Sequence, residues 1–145
     1  SSDLAISQMV GQRMLALSPE IIAENGGDVF CRCDAPQRFG IVAESSRSAF
    51  LQIEVAETMP GAGIGVCTSS GRLGPSLNFG NADAVTVVAA DTALADALAT
   101  AASNRVRRQR DIADVLDWTL GHGAEGCVIV AFDQVAAKGN IRFAA

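Results

Sequence analysis

The stretch that most restricts the fold runs from position 84 to 104 and reads AVTVVAADTALADALATAASN. Its first seven residues are apolar at all positions but one, which is typical of a strand that is covered on both faces. The residues that follow are mostly Ala and Leu, and Asp91 or Thr92 can cap a helix there. A buried strand that leads directly into a closely packed helix indicates a layered fold of sheet and helices.

The other segments predict an α+β fold, with an antiparallel sheet that carries its helices on one face. Apolar residues at helical spacing span 3–17 and 111–120, so the second of these helices follows the Ala-rich one. Strand patterns lie in EIIAE and DVFCRC around a turn at 25–28, then in FGIVAE, AFLQIEVAE, GIGVCT, CVIVAFD and NIRFAA. The last two strands are predicted to form a hairpin that turns at Lys138-Gly139-Asn140.

Length and charge exclude some classes of protein. The chain has 145 residues, enough for a single domain with a sizeable core. Its net charge of −5 argues against nucleic-acid binding, which needs a basic surface. No apolar run reaches the roughly 18 residues that span a bilayer. The opening SSDLAISQMVGQRML has no charged region of a signal peptide, so we expect a cytoplasmic protein.

The cysteines, the histidine and a basic run each have two interpretations. Cys31 and Cys33 alternate on one strand face, so they are either half of a zinc site or, like the chain's other cysteines, buried free thiols. His122, the only histidine, lies between two glycines and is interpreted as an exposed turn residue. The run RVRRQR at 105–110 marks either a solvated helix end or a phosphate site.

Asp96 is unusual in the predicted Ala-rich helix, because a buried carboxylate is costly unless it is paired or binds a cation. Thr100 lies four residues later, so the two side chains share one helix face with Thr92 and Asn104. In one interpretation this polar stripe is the solvated face, and the Thr100 hydroxyl bonds back to the carbonyl of Asp96. In the other, the carboxylate and hydroxyl oxygens are two ligands of a divalent cation such as Mg²⁺.

The glycine-rich segment from 59 to 83 offers a second candidate site. Within it, Thr68-Ser69-Ser70-Gly71 can present successive backbone N–H groups and hydroxyls to an anion. The nearby GAGIG lacks the spacing of a dinucleotide-binding fingerprint and leads into a strand rather than a helix. On its own, the segment indicates only a phosphate group nearby.

Three segments together resemble a known family: NGGDV at 25–29, CTSSGRLG at 67–74 and VTVVAADTALADALATA at 85–101. They are similar to the later half of the ApbE superfamily, flavin transferases that split FAD and attach FMN to a protein Thr. The closer match is to an uncharacterised ApbE-like branch, over about residues 3–104. The resemblance implies a T-fold-like sheet, FAD and Mg²⁺ as cofactors, and these site residues: Asp96 and Thr100 for the metal, and Gly26, Gly27, Asp28, Thr68, Ser69, Ser70 and Gly71 for the flavin nucleotide.

The chain departs from that family in two places. Pro75 stands where the family has a His shortly after the Thr-Ser-Gly loop. The family's earlier segment, which carries a flavin-stacking aromatic residue, has no counterpart here. We therefore expect residues 1–145 to be a single domain that forms the C-terminal part of a longer family domain. Either the chain is a fragment, or a second chain supplies the N-terminal half.

Three hypotheses follow. The first is an enzyme that uses Mg²⁺ to cleave the FAD pyrophosphate and transfers FMN to a hydroxyl of an acceptor protein. The second is a module that binds a flavin or another nucleotide without turnover, which the missing His favours. The third is a structural role, in which the Ala-rich helix is a contact between the subunits of a homo-oligomer and Asp96 pairs across it.

Overall fold

The computed structural model describes residues 4–43, 50–55, 62–70 and 80–144. The helices in these ranges are α1 (Leu4–Met14), α2 (Thr92–Arg105) and α3 (Asp111–Gly121). The strands are β1 (Ile21–Asn25), β2 (Asp28–Arg32), β3 (Gln37–Val42), β4 (Phe50–Val55), β5 (Ile64–Ser69), β6 (Ala84–Ala89), β7 (Ala124–Ala131), β8 (Gln134–Gly139) and β9 (Ile141–Phe143).

The strands form two antiparallel sheets, and the helices cover one face of the larger sheet. The large sheet has the order β1-β2-β5-β6-β7-β8, and the small sheet has the order β3-β4-β9. On the large sheet, α1 contacts β1 and β2, α2 contacts mainly β5 and β6, and α3 contacts β7 and β8. The predicted α+β class, with helices on one face of an antiparallel sheet, is confirmed. The small sheet on the opposite face was not predicted.

Strand β6 lies at the centre of two apolar cores, and all its residues are buried. Val85 and Val87 belong to the core beneath the helices. Ala84 and Val88 belong to the core between the two sheets. Alternate residues of a strand point to opposite faces, so the apolar run at 84–89, interrupted by Thr86 alone, is explained by a sheet with both faces covered.

The start of α2 is fixed by contacts from three directions. Asp91 is the N-cap, and its carboxylate accepts a hydrogen bond from the Leu94 N–H at 2.7 Å. The amide oxygen of Gln8 on α1 accepts bonds from both the N–H and the hydroxyl of Thr92, each at 2.9 Å. Gly65 on β5 lies directly beneath: a Cβ there would be 2.5 Å from the Asp91 carbonyl oxygen. Gly65 therefore lets the helix approach the sheet closely.

The predicted final hairpin is wrong in position. The turn lies at Phe132 and Asp133, whose φ angles are 53° and 58°, and it joins β7 to β8. Two consecutive residues with positive φ are typical of a tight hairpin turn, but Phe is an unusual residue there, so the local pattern carried no signal. After Gly139, with φ +90°, the chain leaves the large sheet and β9 pairs with β4. No helix in the described ranges has the length and hydrophobicity needed to cross a membrane.

The close approach at Gly65 predicts a stability effect. We expect Gly65→Ala to lower the free energy of unfolding by about 1–3 kcal/mol, because the new Cβ overlaps the backbone of Asp91 and Thr92. Gly121→Ala, at the end of α3 where a new Cβ would meet no atom within 4 Å, should be neutral or stabilising by up to about 1 kcal/mol. Urea unfolding measures both, and equal values for the two variants would contradict the interpretation of Gly65.

Candidate functional site

Asp96 of α2 lies near enough to a buried cysteine of β5 for its charge to act on the thiol. Cys67 of β5 is fully buried beneath the helix, and its thiol is 3.4 Å from the carbonyl oxygen of Thr92. Asp28 lies opposite Cys67 in the β2–β5 ladder. Burial raises the pKa of the Cys67 thiol far above its usual value, and the negative charges of Asp28 and then Asp96 raise that pKa further. The two predicted carboxylates are therefore neighbours of one thiol.

The polar stripe of α2 is not the helix's most exposed face. Asp96 and Thr100 are half-buried and Thr92 is fully buried, whereas Ala93 and Ala97 are exposed. Burial raises the pKa of Asp96 above its usual value, and the positive charge of the chain's N-terminal amino group opposes part of that rise. No hydrogen-bond or ion-pair partner for this carboxylate lies in the described part of the chain. The interpretation of the stripe as an ordinary solvated face does not account for this arrangement.

Thr100 also lacks the local bond that the alternative interpretation requires. In α3, the Thr119 hydroxyl donates to the Val115 carbonyl four residues earlier, at 2.7 Å. Within the described ranges, the Thr100 hydroxyl makes no such bond to the Asp96 carbonyl. Asp96 and Thr100 therefore offer two oxygens one helical turn apart, which suits a hard cation.

These two oxygens are fewer than a metal needs. Among the residues that the structure describes, no group of three or more His, Cys, Asp or Glu side chains is placed to hold a metal ion. Mg²⁺ prefers six oxygen ligands and usually keeps several waters or substrate phosphate oxygens among them. The residues thus fit a cation that is held jointly by the protein and a phosphate-bearing ligand, and they do not form a closed metal site.

The glycine turn has the geometry that its residues predict. Gly26 and Gly27 have φ angles of 62° and 94° and join β1 to β2, with nothing within 4 Å of a Cβ at either position. The Gly27 N–H donates to a carboxylate oxygen of Glu24 at 2.9 Å. The turn is open on its outer side, so its backbone can approach a ligand.

The predicted phosphate loop is divided between the two faces of the large sheet. Cys67 faces α2, so alternation places Ser69 on the helix side and Thr68 on the side of the small sheet. The Thr68 hydroxyl lies 2.8 Å from the hydroxyl of Thr86, and both line a cavity of about 280 Å³. Ser70 and Gly27 line the same cavity. Gly71 lies outside the described residues.

Sequence reasoning missed the other wall of that cavity. Residues 39–42 of β3, beginning with the half-buried ring of Phe39, face Thr68 and Ser70 across it. Their pattern predicted a strand but gave no signal of function, because the contact depends on how a second sheet packs on the first. The cavity is therefore lined by two segments that the sequence assigned to a site, at Gly27 and at Thr68 with Ser70, and by one that it assigned only to a strand, residues 39–42.

Comparisons with known proteins identify the family. The model of a family described as "AbpE bacteria" matches residues 5–124. The chain belongs to this family. It is 42% identical over 120 residues to a UPF0280 protein of Methanosphaerula palustris, covering 83% of this chain and 49% of that protein. It is 38% identical over 146 residues to UPF0280 protein MJ1526 of Methanocaldococcus jannaschii, covering 94% and 57%. The resemblance inferred from the three sequence segments is confirmed.

A solved structure of related fold is the apo form of the Pseudomonas stutzeri flavinyl transferase ApbE. It matches with a TM-score of 0.62 at 19% identity, over 94% of this chain and 48% of that one. At this identity the match shows a shared fold. This ApbE-like chain spans about half the length of the curated relatives that it matches.

The other candidate residues of this ApbE-like chain have structural roles. Cys31 and Cys33 are buried with their sulfurs 3.7 Å apart, and burial raises the pKa of the Cys31 thiol to about 12. Among the described residues, no further His, Cys, Asp or Glu side chain joins them in a group that could hold a metal ion. His122 is exposed at the end of α3, with Nδ1 2.7 Å from the Trp118 carbonyl oxygen. Arg105 packs its guanidinium over the Trp118 ring at 3.8 Å.

The burial of Asp96 predicts a pH-dependent cost. A carboxyl whose pKa is raised on folding destabilises the folded state once pH exceeds its unfolded pKa. We expect Asp96→Asn to raise the Tm by about 1–3 °C at pH 7. The gain should vanish as pH falls below 3.8, the usual Asp value, where both states are protonated. Thermal unfolding across pH measures this.

The control is Asp117→Asn on α3, which removes an exposed ion pair with Lys138. That variant should leave the Tm unchanged or lower it slightly at pH 7. The prediction fails if the Tm of Asp96→Asn at pH 7 is equal to or below that of the unsubstituted chain. That result would show that other groups already offset the cost of burying the carboxylate.

Proposed function

We propose that this chain is the part of an ApbE-like flavin-nucleotide protein that holds a divalent cation through Asp96 and Thr100, beside the pyrophosphate of FAD. The observation that carries the proposal is the half-buried Asp96 carboxylate, with its raised pKa and no partner in the described ranges. A carboxylate kept in such a place is explained by a bound cation, which removes the cost of its burial.

The candidate site has two parts, the α2 residues proposed for the cation and the residues around the glycine turn and the end of β5. Both parts lie at one end of the large sheet. Asp28 begins β2 next to the glycine turn, and Ser69 ends β5, and these strands are antiparallel. Helix α2 starts above Gly65 of β5. Further along the helix, Asp96 lies near Cys67 of the same strand, and the carbonyl of Ser103 lies against Gly80. Thr100 is therefore on the part of α2 that extends toward the end of β5. A dinucleotide bound at this end of the sheet is long enough to reach both of its faces.

Each group has a distinct proposed role. The Asp96 carboxylate and the Thr100 hydroxyl hold the cation. Ser69 at the end of β5 and Ser70 after it donate to phosphate oxygens through their hydroxyls, because the backbone of Thr68 and Ser69 is extended and paired with β6. Gly26, Gly27 and Asp28 border the flavin, whose polar edge can enter the cavity beside Thr68.

The proposed reaction is transfer of FMN to a protein hydroxyl. The acceptor oxygen forms a bond to the FMN phosphorus, the pyrophosphate P–O bond breaks, AMP leaves, and the hydroxyl proton is lost to solvent or a base. A bound divalent cation neutralises the charge that develops on the phosphate oxygens. The chain's own contribution is to position the cation and the phosphates.

One observation favours binding without turnover as a second candidate. The only histidine, His122, caps the end of α3, and Pro75 occupies the position where the resemblance places a His. The described part of the candidate site therefore contains no imidazole that can serve as a base. In this case the same residues bind the flavin nucleotide and its cation but do not release AMP.

Cation binding tests the proposal first. We expect Mn²⁺, titrated by electron paramagnetic resonance in the presence of FAD, to bind at least tenfold more weakly to Asp96→Asn and several-fold more weakly to Thr100→Val. Asp117→Asn, an exposed carboxylate on α3, serves as the matched control and should bind as the unsubstituted chain does. If all three variants bind Mn²⁺ equally, Asp96 and Thr100 are not the ligands.

AMP release then separates the two candidates. The chain is incubated with FAD and Mg²⁺, with and without a protein that carries an acceptor hydroxyl, and AMP is measured by chromatography. AMP that depends on Mg²⁺ and is lost in Asp96→Asn supports the transferase. FAD binding at the same site with AMP at background supports the binding module.

A further inference from the structure

Three arginines between helices α2 and α3 carry side chains that form no ion pair in the described part of the chain. Arg107, Arg108 and Arg110 follow the end of α2 and are exposed, and we call them the arginine segment. The whole chain has 11 Lys and Arg residues and a net charge of −5. Three cations within four positions are therefore a local concentration of positive charge on an acidic protein.

The end of helix α2 accounts for a neighbouring arginine but not for these three. Arg105 lies in the last turn of α2, donates to the Ala101 carbonyl at 3.0 Å and packs on the ring of Trp118. The arginine segment instead lies just before α3, and Arg110 is the N-cap residue of that helix without a side-chain capping bond. A helix N-terminus favours negative charge. The dipole of α3 therefore opposes the charge of the arginine segment, that of Arg110 above all.

A compact phosphate is a poor match to the arginine segment. The backbone N–H groups of Arg107 and Arg108 donate to one carboxylate oxygen of Asp111, at 3.1 and 2.8 Å. Successive N–H groups of this kind are the donors that a phosphate nest uses, and a negative charge already occupies them. Asp111 and Asp114 also place two carboxylates in the first turn of α3. An anion recognised here must therefore bind the exposed guanidinium groups rather than the backbone.

An apolar groove includes Arg110 in its lining. It has a volume of about 540 Å³ and lies between α3 and β8, and we call it the α3–β8 groove. Its apolar residues are Ile112, Ala113 and Leu116 from α3 and Ala136 from β8. A groove that places apolar carbons beside a guanidinium group suits a ligand with both apolar and anionic groups.

The arginine segment and the α3–β8 groove lie at the same end of the large sheet as the candidate site. Antiparallel pairing places Ser69, the last residue of β5, opposite Val85 near the start of β6. Ala84 lies opposite Val130 near the end of β7, and Gln134, which begins β8, lines the groove. Three strand spacings, or about 14 Å, therefore separate β8 from the β5 strand that carries Ser69.

We propose that the arginine segment and the α3–β8 groove form a docking surface for an acidic peptide segment of a partner protein. The carboxylates of that segment pair with the arginine side chains, and its apolar side chains enter the groove. Charge complementarity identifies this occupant, because separate guanidinium groups beside an apolar groove match a chain that combines Asp or Glu with apolar residues. The inference goes beyond the proposed function and does not depend on a bound flavin or cation.

A nucleic acid is a poorer match to this surface. Single strands bind proteins by stacking bases on aromatic rings as well as by their phosphates. Trp118, the only tryptophan, already packs against Arg105 at 3.8 Å and against His122, with ring centroids 4.3 Å apart. A stacked base would compete with these contacts, and a phosphate backbone has no apolar group for the groove.

Fluorescence anisotropy tests the role of charge. The probe is a fluorescein-labelled peptide of repeated Glu-Glu-Leu triplets, titrated with this chain at physiological ionic strength. We expect saturable binding that Arg107→Gln combined with Arg108→Gln weakens about three- to tenfold, the effect of losing two exposed ion pairs. Arg13→Gln combined with Arg142→Gln removes the same charge from exposed positions elsewhere and should leave the affinity unchanged. No saturable binding, or equal affinities of the two double variants, would overturn the proposal.

A second pair of variants tests the groove. Ala113 is an exposed part of its lining, so Ala113→Gln places a polar side chain there and should weaken binding of the Leu-containing peptide about threefold or more. Ala97→Gln, at an exposed alanine of α2, is the matched control and should bind as the unsubstituted chain does. A peptide with Ser in place of each Leu should bind more weakly and should not distinguish these two variants. If the Ser peptide binds the unsubstituted chain as tightly as the Leu peptide, the groove is not used and the proposal fails.

Competition identifies the class of ligand. A single-stranded oligonucleotide of the same charge as the peptide, and inorganic pyrophosphate, are each added to the complex of peptide and chain. The peptide should stay bound when either competitor is present at the same concentration of charge. If either one displaces the peptide, and binds more weakly to the variant that combines Arg107→Gln with Arg108→Gln, the surface recognises phosphate and the proposal is wrong.

Discussion

The contact between Gly65 and the first turn of α2 determines most of the geometry of the candidate site. Because β5 has no side chain at this position, the helix start rests on the strand backbone, with Gln8 of α1 holding Thr92 from the side. This close approach of α2 to β5 brings Asp96 near Cys67. With a larger residue at position 65, α2 would be displaced outward and the carboxylate would be more solvated. The candidate cation site is therefore a consequence of close helix–sheet packing.

This packing makes the charged form of Asp96 unfavourable, because it partly buries the carboxylate. A neutral small residue at position 96 would suit an alanine-rich helix better, since burial opposes ionisation of the carboxyl group. Thr100 one turn later shows a related feature, because its hydroxyl does not make the local bond that Thr119 makes in α3. Two polar side chains one turn apart, neither of which bonds locally in the described residues, suit one shared ligand.

The sequence predicted those features of the structure that depend on residues close together in the chain. The apolar run before Asp91, the glycine pair at 26–27 and the four-residue spacing of Asp96 and Thr100 are local patterns, and the structure has the strand, turn and shared helix face that they indicate. The cavity wall at Phe39 and the hairpin turn at Phe132 were missed. The first depends on packing between two sheets, and the second places an aromatic residue in a conformation that favours glycine or asparagine.

Two surfaces of this chain are unfavourable when only its described residues are considered: the half-buried carboxylate of Asp96 and the apolar stripe of Ile6, Val10 and Met14 on α1. A half-buried carboxylate without a described partner and an apolar stripe turned toward solvent are each unfavourable in a self-contained domain. Both would be relieved by contacts that the described residues do not supply, a cation for the carboxylate and an apolar partner for the stripe. The inward contacts of Gly11 and Gln8 fix α1 so firmly that the stripe cannot be relieved by rotation.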